Sequence, residues 1–456
     1  MQKRSNDNKN GWWLLIGLLL IAFYMAFAVL DGPHRYADSS SYISMSISRE
    51  PMYGLFLGLF RMTFGRWGED VWLYAAVMAQ SLIAALSALY FTKTLSRLFS
   101  LSRLADLGLA LCTVLPSLMC RFVANRRMMY SCSILSEALA MPLFLVFFAC
   151  LLRCAILGGM KAGWEAAFWS FVLISIRKQM YICLPLLVLT LLWRGIREKK
   201  FLPRLIGAAL LSAVVLLSNS LLDRGYNYLL RGEAIRHTGD ARFVTTMLLY
   251  NTHPGDEEAI ADEELRDLYK EIYIKADSRQ FLGIYAPEDW FGRVSHFSGN
   301  YDHIQFDCLR DTARVYAKAK YGDDETAVNL EMDRINTGLN AALLLPEAPR
   351  LLRTVADSFA SGLLTTVLSM NRRFVPVAGL LYVVFLALVI RGIGKKRESL
   401  TILGLLTLPA IAANVGLVSL TIFCQARYTI YNMPIFYATL FLLLCDALLN
   451  RRKHTA

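Results

Sequence analysis

Hydrophobic residues fall in long blocks along this chain. Residues 11–30 run for 20 positions without a charge, roughly 30 Å of α-helix, about the thickness of a bilayer core. Further blocks at 71–91, 104–120, 133–152, 163–178, 180–194, 204–222, 374–391, 399–423 and 430–449 bring the expected spans to ten. The fifth and sixth are short, and Arg177-Lys178 divides them. Nothing alternates with the ten-residue period of an outer-membrane barrel. Two stretches break the pattern, residues 31–70 and 223–373. In the first, Met52 to Phe64 is apolar but too short to cross, and predicts an interfacial helix. In the second, helices are expected over Asp256–Ala276, His303–Tyr321, Ala327–Leu345 and Ala348–Met370. The last is amphipathic, with Leu351, Leu352, Val355 and Phe359 on one face. The chain therefore divides into an N-terminal membrane module (1–222), a mostly helical outer segment (223–373) and a C-terminal membrane module (374–456).

Composition agrees with a polytopic α-helical membrane protein. The chain is 56% hydrophobic and 18% charged, against about 45–50% and about 25% in soluble domains. The first block has a basic flank, Lys3 and Arg4, and no small-residue cleavage site before Asp31. It predicts a retained anchor. The net charge of +12 reflects lysines and arginines at span ends, which is a topology signal, and no nucleic-acid partner is expected. The basic loops at Lys93–Arg103, Arg194–Arg204 and Arg391–Arg397 mark the cytoplasmic side. Both termini are then cytoplasmic, in a plasma membrane of bacterial type, and the loop after residue 30 lies outside. Most of the nine cysteines sit in apolar runs; only Cys120, Cys132 and Cys308 could face the outside, and the first two could pair across a loop.

The loops expected outside should be poor in arginine. Instead they carry Arg35, Arg49, Arg61 and Arg66, then Arg121, Arg126 and Arg127, then Arg177 and Lys178, and finally Arg427. A planar guanidinium suits phosphate, through bidentate charge-assisted hydrogen bonds. As a set these cations point to an anion site. The competing reading is snorkelling to lipid headgroups, or pairing with Glu50, Glu69, Asp70 and Glu137. Glu137 lies within a span, where an ionisable residue is costly. Asp38, followed by three serines, reads either as a reactive carboxylate or as a helix cap. No CxxC or zinc spacing is present, and His34, His237, His253, His296 and His303 are scattered. No cofactor is required, and a divalent metal stays open. Tyr301-Asp302-His303 places an acid beside a histidine.

In order, the chain shows Ala37-Asp38-Ser39-Ser40-Ser41-Tyr42, Arg49-Glu50-Pro51-Met52-Tyr53, Ser136-Glu137-Ala138-Leu139, Arg177-Lys178-Gln179 and Arg427-Tyr428. This order resembles the GT-C superfamily of polytopic glycosyltransferases, and within it the bacterial relatives of protein mannosyltransferases and aminoarabinose transferases. The resemblance implies transfer of a sugar from a polyprenyl-phosphate donor to an extracytoplasmic glycan, lipid or protein. It implies Asp38 as the catalytic or metal-associated carboxylate. The family's frequent second acid is replaced here by Ser39, which favours Asp38 as a lone base over a metal-bridging pair. Tyr42, Arg49, Tyr53, Arg121, Arg126, Glu137, Arg177, Lys178, Arg427 and Tyr428 are the expected substrate-binding residues. The alternatives are a lipid-linked-sugar flippase and a non-catalytic partner in envelope assembly. Inverted repeats, expected of many transporters, are not evident in the sequence.

Overall fold

The computed structural model describes residues 2–122, 127–368 and 372–452. Among them the chain is helical throughout, with one isolated pair of backbone bridges in place of any strand. The N-terminal module runs α1 (Gln2–Asp31), α2 (Ser39–Ile43), α3 (Pro51–Phe64), α4 (Glu69–Phe99), α5 (Arg103–Phe122), α6 (Glu137–Leu157), α7 (Met160–Ile176), α8 (Cys183–Arg197) and α9 (Phe201–Arg231). The segment expected outside, called the outer segment for that reason, follows as α10 (Ala241–Asn251), α11 (Glu263–Asp277), α12 (Trp290–His303), α13 (Asp311–Tyr321) and α14 (Glu325–Val367). The chain closes with α15 (Val375–Gly394), α16 (Glu398–Ser419), the short α17 (Ala426–Thr429) and α18 (Met433–Arg452).

Eight described stretches are long and apolar enough to cross a bilayer: α1, α4, α6, α8 with the turn before it, α9, α15, α16, and α17 with α18. By length and composition they are compatible with an integral membrane protein. Two of the ten expected spans, α5 and α7, are formed as helices but stand outside the eight. α7 has only 17 residues, while α5 carries Arg103, Asp106 and Arg121. Leucines and isoleucines such as Leu210, Leu217, Leu380 and Ile390 stand exposed on the helix flanks, as expected of surfaces whose solvent is hydrocarbon.

Local chemistry explains the turns that position the site. Glu50 is extended, and Pro51 opens α3, where its missing N–H costs nothing. The helix expected over Met52–Phe64 is present as α3, with Tyr53 and Leu57 buried and Leu55, Leu59 and Met62 exposed. The loop from α1 lies against the chain before α6. His34 N–H donates to Cys132 O at 2.9 Å, and Ile134 N–H donates to His34 O at 2.9 Å. Behind α3, the Tyr53 hydroxyl donates to Gln80 Oε1 at 2.8 Å, and Gln80 Nε2 donates to the carbonyls of Ser131 and Ser133. These bonds satisfy buried polar groups and tie the first outer loop, α4 and the start of α6 into one rigid corner.

The outer segment has its own core, in which Tyr269, Ile272, Tyr301, Ile304 and Leu339 are buried. It is fastened to the membrane module by Thr238 N–H to Ile47 O at 3.1 Å, by the Tyr301 hydroxyl to Thr421 O at 3.1 Å, and by Cys424 N–H to Ser358 Oγ at 3.2 Å. The sequence pattern breaks at Pro346 into two expected helices, whereas α14 is continuous for 43 residues through Pro346 and Pro349. The helix expected over His303–Tyr321 begins as a π-helical stretch, Ile304–Arg310, that continues α12 into α13. Met370 and the side chain of Cys120 lie outside the described residues; Cys132 is buried as a free thiol.

Candidate active site

Five charged side chains from four distant parts of the chain form one alternating network. Asp38, from the outer loop after α1, accepts from Arg49 Nη2 through Oδ1 at 2.6 Å and from Arg427 Nη2 through Oδ2 at 2.9 Å. Arg427 Nε donates to Glu137 Oε1. Arg177 Nη1 reaches Glu137 Oε2 at 3.0 Å and Ser136 Oγ at 3.1 Å. The order is Arg49, Asp38, Arg427, Glu137, Arg177. The carboxylate end is graded: the Asp38 side chain is 30% exposed and that of Glu137 is 0% exposed. Asp38 is thus the rim of the network and Glu137 its floor.

Each residue is delivered by a specific local structure. Asp38 stands at the start of α2 but its carboxylate makes no capping bond; it points to the arginines instead. Ser39, where a second acid was weighed, turns its hydroxyl to Ile134 O at 2.8 Å. Glu137 begins α6, following Ser136. Arg177 is an extended residue between α7 and α8, and Arg427 sits in α17. Arg49 is held by Ser41 Oγ at 2.7 Å and lies over the Tyr42 ring at 4.6 Å. Tyr42 shares a hydrogen bond with Ser136 Oγ at 3.0 Å. Tyr428 places its ring beside both Arg177 and Arg427, and its carbonyl accepts from Gln179 Nε2 at 2.6 Å and Asn414 Nδ2 at 3.0 Å. Tyr53 stands behind Tyr42, with ring centroids 5.1 Å apart.

Asp38, Tyr42, Arg49, Glu137, Arg177, Arg427 and Tyr428 therefore converge, with Tyr53 as a buried support. Arg121 is elsewhere, paired with Asp31, which also accepts Met129 N–H at 2.9 Å. Arg126 lies outside the described residues. Lys178 points its ammonium to Asp240 in the outer segment, while its N–H donates to Glu50 Oε1 at 2.9 Å.

Two charged groups of the outer segment complete the surroundings. Arg242, on α10, is close enough to Arg49 and Asp38 for their charges to act on it. Asp302, near the end of α12, feels Asp38 and Arg427. Neither was assigned to a site from the sequence. For Asp302 the acid beside His303 was a faint signal; for Arg242 there was none. Burial alone would raise the Asp38 carboxyl, but Arg49 and Arg427 outweigh it and hold it well below the usual carboxylate range. Asp302 keeps solvent access, yet the protein packed around it, and then the charge on Asp38, push its carboxyl up.

The donor set does not fit a divalent cation. Both Asp38 oxygens are spent on guanidinium groups, the next residue is a serine bonded to backbone, and no group of three His, Cys, Asp or Glu among the described residues is arranged to hold a metal. A cavity of about 340 Å³ lies apart from the network, between the outer segment and the loop before α17, lined by Tyr250, Arg293, Arg350, Asp357 and Phe423. Of the three arginines that line it, Arg293 pairs with Asp357 and Arg350 with Asp256 and Glu347, while Arg353 is exposed to solvent. The network differs from this cavity in that three guanidinium groups share two carboxylates, all of them partly or fully shielded from solvent. Compared with family models, with curated proteins and with solved structures, the chain matches none.

Proposed function

We propose that this protein is an integral-membrane glycosyltransferase of GT-C type. It moves a sugar from a polyprenyl-phosphate carrier to an acceptor outside the cytoplasm, with ten membrane helices and both termini inside. The observation that carries this reading is the alternating network formed just after α1 and α7, at the start of α6 and in α17. Three guanidinium groups share two carboxylates at a membrane boundary, which leaves cationic capacity for a phosphate at the depth where a lipid headgroup sits.

In the reaction, the acceptor hydroxyl oxygen attacks the sugar anomeric carbon, and the bond from that carbon to the phosphate oxygen breaks with inversion. The electron pair stays on the phosphate, where Arg427 and Arg177 stabilise it. The hydroxyl proton goes to Asp38. A carboxylate held low by two arginines is a weak base. The arriving phosphate competes for Arg427 and Arg49, and each contact it takes from Asp38 returns the carboxyl toward its ordinary basicity.

The low proton affinity of Asp38 in its double pair also favours a second reading, in which the network grips a phospholipid-linked sugar without transferring it, as a flippase or assembly partner would. The two separate on Asp38→Asn. Mass spectrometry of polyprenyl-phosphate-linked sugars from cells carrying that variant should show the donor accumulating relative to wild type. Unchanged pools, with the variant present in the membrane, would remove Asp38 from the chemistry and leave the gripping role.

A further inference from the structure

Arg242 is the second residue of α10, the first helix of the outer segment. Around Asp38, the other cations are all engaged: Arg49 and Arg427 with Asp38, Arg427 and Arg177 with Glu137, and Lys178 with Asp240. The Arg242 guanidinium has no hydrogen-bond or ion-pair partner among the described residues. Its Nε is sealed from solvent and unbonded, and the side chain is half-buried over the Phe243 ring at 5.0 Å. A shielded guanidinium without a carboxylate is costly, because its lost hydration is not replaced.

Its position is fixed rather than incidental. Gly239 separates it from the first outer loop: a Cβ built at Gly239 would lie 3.6 Å from Arg242 Nη1 and 3.7 Å from Ser48 Cβ, and Ser48 precedes Arg49. Gly239 adopts φ +87°, and its N–H is held by Asp333 at 2.9 Å. One residue earlier, Thr238 N–H donates to Ile47 O. At the other end of this turn, the Asn340 side chain binds Ala241 O at 3.0 Å. The turn pins α10 against the Asp38 loop, with Arg242 at the seam. Burial, and then the charge of Arg49, press on Arg242, so an anion between the two arginines would relieve both.

We propose that Arg242 is a phosphate ligand supplied by the outer segment, and that it receives the charge appearing on the carrier phosphate as the sugar departs. This rests on the glycosyltransferase reading above. Before transfer the phosphate is a diester with one charge. When the carbon–oxygen bond breaks, the electron pair remains on the phosphate oxygen and the group becomes a monoester with a second charge. Arg49, Arg177 and Arg427 already share carboxylates; Arg242 is the guanidinium left to meet the new oxyanion. A contact made chiefly with the departing state accelerates transfer rather than merely tightening donor binding.

The test uses the full chain in detergent, with farnesyl phosphate as the monoester probe and methyl farnesyl phosphate as the diester probe. At about pH 8 the monoester is doubly charged. Arg242→Ala should weaken the monoester by about tenfold or more, the loss expected for one hydrogen bond between charged groups, and leave the diester nearly unchanged. Arg427→Ala should weaken both. Arg242→Gln, checked for an unaltered unfolding midpoint, should repeat the Arg242→Ala result, and Arg242→Lys should restore part of the monoester affinity. Equal effects of Arg242→Ala on the two probes, or none, would overturn the Arg242 assignment while the Arg427 dependence kept the donor site. Displacement of the probe by equimolar inorganic phosphate would overturn a lipid-borne ligand. Probe binding that ignored Arg427 as well would sink both.

Discussion

At the residue scale, Asp38 and Glu137 carry different burdens although both are carboxylates between arginines. Glu137 is fully buried and neutralises two guanidinium groups, so its removal strands charge. Glu137→Ala should destabilise the protein by about 3–5 kcal/mol, the cost of breaking a buried ion pair, read as a fall in the thermal unfolding midpoint in detergent. Asp38 is at the rim, and Asp38→Asn keeps its shape and one acceptor oxygen, so it can accept from Arg49 or Arg427 but not from both. That variant should fold, and transfer should fall by about 10²–10⁴-fold if the carboxylate takes the proton. Both residues, with Arg177 and Arg427, were legible in the sequence because charge at a membrane boundary is expensive and therefore visible. Arg121 and Lys178 carried the same signal for another reason: they meet Asp31 and Asp240. Arg242 was not legible, since an arginine in a long polar segment is unremarkable until the fold sets it beside Asp38.

At the element scale, α14 is where sequence reading and structure part. Pro346 and Pro349 mark a helix break on local grounds, yet the helix continues, and the residue between them explains part of it. Glu347 is fully buried within α14, hydrogen-bonded by Arg350, which also reaches Asp256 at 3.0 Å. Burial first, and then Asp256, push the Glu347 carboxyl up to about 8 from an ordinary 4.5. Between those values the folded chain holds a proton that the unfolded chain releases. Stability therefore falls as pH rises through this window, being greatest below about 4.5 and lost by about 8 for this group. Glu347→Gln should flatten the dependence of the unfolding midpoint over that range; an unchanged slope would refute the assignment. Further along α14, a Cβ on Gly362 would lie 2.5 Å from Val415 and 2.6 Å from Cys424, side chains in the packed interior. Gly362→Ala should cost about 1–3 kcal/mol by overpacking, again seen in the unfolding midpoint. That contact joins α14 to α16 and to the loop that delivers Arg427, so loss of donor binding should accompany the loss of stability.

For the molecule as a whole, the helical membrane class was plain from hydrophobic blocks, because a span must bury its backbone polar groups within itself. The number of spans was less plain. α5 and α7 read as spans by apolarity and are helical, but they stand outside the eight, and the proposal of ten spans counts them. In the outer segment the sequence pattern foretold α11, α13 and α14 but neither α10 nor α12, nor the docking, which depends on backbone bonds such as Thr238 to Ile47. The proposed orientation rests on the basic loops. Ser40→Cys, exposed in the first outer loop, should react with a membrane-impermeant maleimide added to intact cells, and Lys396→Cys should not. The reverse pattern would invert the topology and exclude an extracytoplasmic acceptor. The central claim is most directly tested by an experimental structure with a polyprenyl phosphate bound. The phosphorus should lie among Arg49, Arg177, Arg242 and Arg427, with Asp38 released from at least one arginine. Phosphate density at the cavity beside Arg293 and Arg350, with the Asp38 network intact, would contradict the account.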